Sequence, residues 1–508
     1  MDNLKELIAL IEKHKVKRVE VIGSPSNYSS KLEELYSGIY EGKITSDQEA
    51  QQEIYGGLVT SGAYKKLKQR LFNRLLNTLF FIDLNQPGFN EIQKAYYSCY
   101  KELAATKILI GRGVRNVAIP LLEKTLRKAE KFEFTDIALD AARALRGHYG
   151  PIVGNFKKYV EYKEKVRTCK AVLDAELLAE EYLGDLTINF VSSRVKKKEL
   201  KELAKDYTHE LRQYTGKYNS YRLNLTAFLV YTVSHQISND YNAAIDVCKE
   251  AINRLELNPN AASKVAVTNF LIRILSCSIQ LKNYEEGEKA VRKALKLTQD
   301  GSRNWFIILI YYFILSTHTN NFQQAYNTYD QASHHPKFKL LTQNLSEEWI
   351  IVKAYTYYLI SIGKIDPSLS GKRPNLKQFR VGKFLNEVPT YSKDKRGMNI
   401  NVLIIQILFL LQKKDYGAII DRMEALEAYC YRHLRQDDTF RSNCFLKMLL
   451  LLPKASFQQE RVVHRARKYL KMLETNPLEV SNQVSEIEII PYDMLWEFVV
   501  ESLDDKFH

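Results

Sequence analysis

Two groups of side chains in this sequence have residue types that bind metal ions. Cys430, His433 and Cys444 are suitable ligands, but a structural zinc site needs four ligands at tight spacing, and here a fourth is missing. His334 and His335 are adjacent at a turn, where neighbouring side chains rarely converge on one ion. We therefore expect structural roles for these residues, with no metal site and no cofactor.

A third group has residue types suited to acid–base chemistry. Asp437 and Asp438 lie between Arg435 and Arg441, but ion pairs in an exposed loop explain this arrangement equally well. The P-loop, the HExxH metalloprotease motif and the GxSxG hydrolase motif do not occur in the sequence. We expect that the protein is not an enzyme.

Two basic segments have the composition of nucleic-acid contacts. The first is an amphipathic helix expected from about Ala63 to Asp83, which follows a short helix and the turn Gly56-Gly57. A basic second helix after a turn is typical of helix–turn–helix docking, although this turn is longer than the motif allows. A solvated helix face is the alternative explanation. The cations in the first half of this helix are Lys65, Lys66, Lys68, Arg70 and Arg74.

The second basic segment, residues 371–396, interrupts the helical pattern with proline and glycine. It has eight cations against two carboxylates, and Phe379, Phe384 and Tyr391 are interleaved among them. Aromatic rings stack on bases and cations neutralise phosphates, so single-stranded nucleic acid is a candidate ligand. The alternative is a structural loop that its phenylalanines hold in place. Four of the cations are candidate contacts: Lys372, Arg373, Lys377 and Arg380.

The composition of the whole chain fits a globular protein of the cytoplasm. Of its 508 residues, 45% are hydrophobic and 26% charged, and the six cysteines form no CxxC pair, which suits reduced, buried thiols. Charges interrupt the first ten residues, so we expect no signal peptide. The longest apolar runs are shorter than the roughly 20 residues that span a bilayer, so we expect no membrane association. The net charge of +15 fits either an acidic partner or a solvated, lysine-rich surface.

One pattern occurs three times between Arg222 and Ala332. Each copy has an aromatic residue, a small residue three positions later and an alanine ten positions after the aromatic; the copies begin at Tyr241, Tyr284 and Phe322. Small residues let the two helices of a hairpin cross closely, and stacked hairpins bury a continuous core that one hairpin cannot bury. Looser copies occur near Gly113, Gly363 and Lys414.

This pattern resembles the tetratricopeptide repeat, specifically over about residues 222–365 and loosely elsewhere. The spacing departs from the family, because the copies begin 43 and 38 residues apart instead of about 34. The resemblance implies an all-α, elongated solenoid of helical hairpins. With the flanking helices, we expect a helical N-terminal module and a C-terminal helix that caps the end of the solenoid.

We divide the chain into five segments on this basis. They are an N-terminal helical module with the basic helix (1–110), helical hairpins with long amphipathic helices (111–220), the clear repeats (221–365), the basic loop (366–398), and C-terminal helical repeats with the cap (399–508).

The resemblance also implies a groove lined by the first helix of each hairpin. Carried over position by position, the lining residues are Thr226, Leu229, Val233 and Gln236, then Asn269, Ile272, Ser276 and Ile279, then Ile307, Ile310, Ile314 and Thr317. The third set is nearly all apolar, which predicts a groove that is covered at that hairpin.

The function that we expect is that of a non-enzymatic scaffold or adaptor that binds a protein or peptide. The alternative is a nucleic-acid-binding regulator, which would use the basic helix and the 371–396 loop for contact and the repeats as a sensor.

Overall fold

A computed structural model describes most of the chain. The described residues are 1–13, 30–56, 61–85, 89–192, 197–257, 263–370, 398–433, 440–476 and 488–503. Within these ranges every regular element is helical and no β-strand is formed. The prediction of an all-α protein is therefore confirmed.

Contacts divide the chain into two compact units, Met1–Leu173 and Asp174–His508. The division falls inside one long helix, Phe156–Ser192, so a single element contributes to both units. The division into five segments expected from the sequence stays a prediction.

The first unit has two hydrophobic cores. One core is built by α1–α4 and the other by α5–α7 with the first half of α8. Ser46 and Glu49 form a reciprocal capping box at the start of α3, as their spacing predicts. The helices are α1 (Asp2–Lys13), α2 (Lys31–Tyr40), α3 (Asp47–Tyr55), α4 (Ser61–Thr78), α5 (Glu91–Gly111), α6 (Arg115–Lys131), α7 (Thr135–Gly147) and α8 (Phe156–Ser192).

The second unit holds the clear repeats, and one core runs through it from α8 to the last helix. Its helices pack in sequential pairs, including α10 with α11, α12 with α13, α14 with α15, and α17 with α18. They are α9 (Lys197–Lys217), α10 (Tyr221–Ile237), α11 (Tyr241–Glu256), α12 (Lys264–Gln280), α13 (Tyr284–Leu297), α14 (Arg303–His318), α15 (Phe322–Ser333), α16 (Gln343–Ser361), α17 (Met398–Gln412), α18 (Tyr416–His433), α19 (Phe440–Leu449), α20 (Leu451–Lys454), α21 (Gln459–Thr475) and α22 (Tyr492–Glu501).

One turn geometry recurs at the ends of helices in both units. A residue with positive φ follows the helix, and the next N–H donates to the carbonyl five residues earlier at 2.8–3.0 Å, which is the Schellman cap. We call this the left-handed turn. It occurs in the three clear copies, and the looser copies near Gly113, Gly363 and Lys414 share it. The left-handed residues are Gly113, Glu133, Asn239, Lys282, Asn320, Gly363, Lys414 and Ser456.

The small residues of the repeat lie where helices cross. Ala244 and Ala325 are fully buried, and Gly287 is buried between α12 and α14. A Cβ placed on Gly287 would lie 2.5 Å from Cδ2 of Leu315 and 3.1 Å from Cβ of Ser278. The close approach that the spacing predicts is therefore present.

The last helix, α22, lies across several left-handed turns as well as on α19 and α21. That this helix caps the end of a solenoid stays a prediction. Lysines at or beside the turns reach the helix and its C-terminal end: Lys282 lies 3.5 Å from Asp493, Lys364 lies 3.4 Å from Glu501, and Lys414 donates to the Ser502 carbonyl at 2.8 Å.

Candidate functional site

The face of α10, α12 and α14 that carries the predicted groove residues is called the groove face below. On α10 and α12 this face is partly open. Asn269 is exposed; Leu229, Gln236, Ile272 and Ser276 are half-buried; Thr226, Val233 and Ile279 are buried in the core. The buried three support the helices and are not open to a partner, which corrects their assignment as contacts.

The transfer of groove positions from the tetratricopeptide-repeat pattern did not include two apolar side chains of the groove face. Val265 is 57% exposed and stands one turn before Asn269, so the helical spacing puts both on one side of α12. Leu225 is half-buried one turn before Leu229 on α10. The open part of the face is therefore more apolar than expected.

On α14 the groove face is covered by another part of the same chain. Thr317 has no exposed surface, and its hydroxyl donates to the main-chain carbonyl of Ile489. The His318 ring forms a hydrogen bond of 2.6 Å with the carbonyl of Glu488, and Ile310 and Ile314 are buried. Thr317 is thus not open to a partner, which corrects its assignment as a contact, while the groove itself stays a prediction.

An ion pair inside the core holds the covering segment. Arg441 is 3% exposed and Glu488 has no exposed surface; Nε of Arg441 donates to Oε1 of Glu488 at 2.7 Å and Nη2 donates to Oε2 at 3.2 Å. Nη1 of Arg441 donates to the carbonyls of Leu473 and Asn476, and the Tyr492 N–H donates to Oε2 of Glu488 at 3.0 Å. Arg441 is therefore a buried structural residue. The sequence-based explanation, an ion pair in an exposed loop, is wrong for Arg441.

His318 is neutral in this environment. The ring is completely buried, and burial lowers the pKa of His318 to about 4. Its Nε2 donates to the Glu488 carbonyl, while Nδ1 is buried without a hydrogen-bond partner. Protonation would place an unpaired charge in the core.

The basic helix expected near residue 63 is α4, and it is only partly available to a partner. Lys68 donates to both carboxylate oxygens of Asp47, at 2.7 and 3.0 Å, and the hydroxyl of Tyr64 donates to Oδ1 of Asp47 at 2.6 Å. The Lys68 ammonium, followed by the Tyr64 hydroxyl, lowers the pKa of Asp47 to about 2. Lys68 therefore joins α3 to α4 and is not a free contact.

The remaining predicted cations of α4 are open to solvent to different degrees. Lys65, Lys66 and Arg70 are exposed and Arg74 is half-buried. The second basic segment, with Lys372, Arg373, Lys377 and Arg380, lies outside the described residues.

A basic face that the sequence analysis did not single out lies on α21. Its exposed residues recur at the spacing of one side of a helix, opposite the buried Val462, Ala466 and Leu473. We call it the α21 basic face, and its members are Arg461, His464, Arg465, Lys468 and Lys471.

No metal-binding or membrane-spanning element is found in the part of the chain that the structure describes. No three His, Cys, Asp or Glu side chains there converge to hold an ion. No described helix is both long and apolar enough to cross a bilayer. Cys99, Cys248, Cys277 and Cys444 are buried thiols, as expected, whereas Cys169 is only half-buried.

Comparison with known proteins gives no match, whether to a family model, to a curated protein or to a solved structure.

Proposed function

We propose that this protein is a non-enzymatic scaffold whose groove face binds an extended segment of a partner protein. In this proposal the paired helices form a solenoid of the tetratricopeptide-repeat kind, and the open part of the groove face, on α10 and α12, is the binding surface.

The contacts of the chain's own segment Glu488–Ile490 with the groove face support this proposal. At α14 the groove face holds this segment through hydrogen bonds from Thr317 and His318 to main-chain carbonyl oxygens. Main-chain carbonyls are present in every peptide, so the same mode of contact is available to a segment of another protein.

The open part of the groove face has the mixture of groups that such contact needs. Val265, Leu225 and Ile272 offer partly exposed apolar surface, and the amide side chains of Asn269 and Gln236 can bind main-chain groups. Protein interfaces combine an apolar centre with polar groups in this way.

The experiment places a photo-crosslinking amino acid at Asn269 in the full-length protein. We expect it to capture a partner in cell extract, and a crosslinker at Asp246, which is exposed on α11, to capture none. The double variant Val265→Glu with Asn269→Glu should abolish capture by a crosslinker at Ser276, because two carboxylates would be desolvated in the interface.

The matched control is Asn242→Glu with Asn327→Glu, which adds the same charge at exposed sites on α11 and α15. It should leave capture by the Ser276 crosslinker unchanged. Equal capture from Asn269 and Asp246, or equal loss in both double variants, would contradict the proposal.

A second candidate function is nucleic-acid binding through α4. The observation that favours it is that Lys65, Lys66 and Arg70 are exposed and form no ion pair with a carboxylate in the described ranges. Changing Lys65, Lys66 and Arg70 to Gln should then weaken binding of a single-stranded oligonucleotide; unchanged binding would remove α4 from consideration.

A further inference from the structure

The α21 basic face is a continuous row of positive groups. Arg461, Arg465 and Lys468 follow each other at intervals of four and three residues, which places them on one side of the helix. From Arg461 to Lys471 the row extends about 15 Å, at 1.5 Å per residue. Arg467 is also exposed beside this row.

These positive groups are not neutralised by neighbouring carboxylates. Among the described residues, no Asp or Glu forms an ion pair with Arg461, Arg465, Arg467, Lys468 or Lys471. The two carboxylates of the helix, Glu460 and Glu474, stand at its two ends. The row is therefore a concentrated positive charge that attracts polyanions.

The surface chemistry of the helix favours nucleic acid over protein as the polyanion. Val463 is 41% exposed, and the other large apolar side chains of α21, all of them described, are at least half-buried. The centre of a protein interface is usually apolar, with a few large anchoring side chains. A charged face that lacks such a centre is better suited to a phosphate backbone, which is bound largely through charge.

The small number of exposed aromatic rings on α21 favours a duplex over a single strand. His464 is the one exposed ring of this helix, and Tyr469 is half-buried, with the Lys447 ammonium 5.9 Å from the centre of its ring. Proteins that bind single strands stack bases on aromatic side chains, whereas a duplex can be held by its phosphates alone. Arginine and lysine both bind phosphate, and arginine can do so through two parallel hydrogen bonds.

We propose that the α21 basic face binds the phosphate backbone of a nucleic-acid duplex without reading its sequence. The site differs from the groove face and from α4, so it adds a second partner to the scaffold proposed above.

The test measures binding of the full-length protein to a fluorescent 20-base-pair DNA duplex at several salt concentrations. If the row contacts about four phosphates, the logarithm of the binding constant should fall with the logarithm of salt concentration with a slope of about −3.6. The triple variant Arg461→Gln, Lys468→Gln and Lys471→Gln should lower the magnitude of this slope by about 2.7 and weaken binding at least about tenfold at low salt.

The chain offers a control of the same composition. Lys124→Gln, Arg127→Gln and Lys131→Gln also removes two lysines and one arginine from exposed positions of one helix, α6. This variant should keep the slope and affinity of the unchanged protein. If both triple variants lose binding equally, net charge and not the α21 basic face is responsible, and the proposal is wrong.

Three other results would also overturn it. They are no duplex binding by the unchanged protein at 50 mM salt or below, binding that follows the duplex sequence, and tighter binding of a poly-glutamate peptide than of the duplex. The last result would identify an acidic protein as the partner. If the triple variant does not fold, as judged by circular dichroism, Lys471→Gln alone should reduce the slope by about 0.9, and an unchanged slope would equally refute the proposal.

Discussion

The groove face is open on α10 and α12 and covered on α14, although the three helices have the same length of turn after them. The difference lies in the side chains at the end of each helix. Thr317 and His318 supply two donors to main-chain carbonyls, whereas the corresponding positions on α12 are Ile279 and Gln280. Similar helices can therefore differ in what covers them: on α14, Thr317 and His318 bind the segment that the Arg441–Glu488 ion pair also holds, and α12 has no such donors at these two positions.

The largest effect on the covered part of α14 is expected from removing the ion pair that holds the covering segment. Arg441→Ala leaves the Glu488 carboxylate buried without its main cation, so we expect the free energy of unfolding to fall by about 3–5 kcal/mol in urea denaturation. Arg441→Met with Glu488→Leu removes both charges and should cost less, because no lone charge stays buried. An equal or larger loss in the double variant would show that the ion pair is not what stabilises the covered end.

A change of pH should alter the free energy of unfolding through His318, which lies under the segment that covers α14. Its pKa of about 4 in the folded protein lies below the ordinary value of 6.5, so the unfolded chain binds the proton first as the pH falls. This contribution to stability is complete above pH 6.5 and is lost progressively toward pH 4, where the loss reaches about 3 kcal/mol.

His318→Gln supplies the control, because glutamine keeps a donor for the Glu488 carbonyl and does not titrate. The difference in unfolding free energy between pH 7 and pH 4 should be about 3 kcal/mol smaller for this variant. The same difference in both proteins would mean that His318 is not buried in neutral form.

The crossing of the helices beneath the groove face can be tested at two glycines. Gly287→Ala should cost about 1–3 kcal/mol, because the new methyl group would overlap Leu315. At Gly417, on α18, a Cβ meets no atom within 4 Å, so Gly417→Ala should be neutral or stabilise by up to about 1 kcal/mol through helix propensity. Denaturant midpoints that shift in the same direction would contradict the assigned crossing.

The smallest expected effect concerns the contacts of α22 at the left-handed turns. Lys364 lies 3.4 Å from Glu501 at the surface, so Lys364→Ala should cost less than about 1 kcal/mol, and high salt should reduce the cost. Lys413→Ala, at an exposed position of another left-handed turn, is the control and should have no measurable effect. A cost for Lys364→Ala as large as that of Arg441→Ala would mean that the turn contacts, not the core ion pair, fix the last helix.

The local features of this fold could be predicted from the sequence because they depend on residues close together in the chain. The aromatic and small residues of the repeat, the capping box of Ser46 and Glu49, and the turns near Gly113, Gly363 and Lys414 all follow from spacings of a few residues. Each spacing reflects a geometric need within one or two helices.

The features that the sequence did not reveal depend on distant residues. Arg441 and Glu488 are 47 residues apart, and neither spacing nor composition links them. The apolar third set of groove residues indicates a covered surface on α14 but not which segment covers it, and Thr317 is covered by a segment more than 170 residues later. The α21 basic face is present in the sequence as a helical spacing of cations, but it lacks the proline and glycine residues that distinguish the 371–396 segment from a helix.

The left-handed turn also bears on how such a chain can change in length. The turns within the pairs α10–α11, α12–α13 and α14–α15 each have three residues, whereas the connections from one pair to the next have seven, five and nine. The uneven spacing of the copies therefore arises outside the turns. A gene segment duplicated from one such connection to the next would encode a complete hairpin with its turn. The number of hairpins can therefore change without disturbing the hydrogen bonds of each left-handed turn.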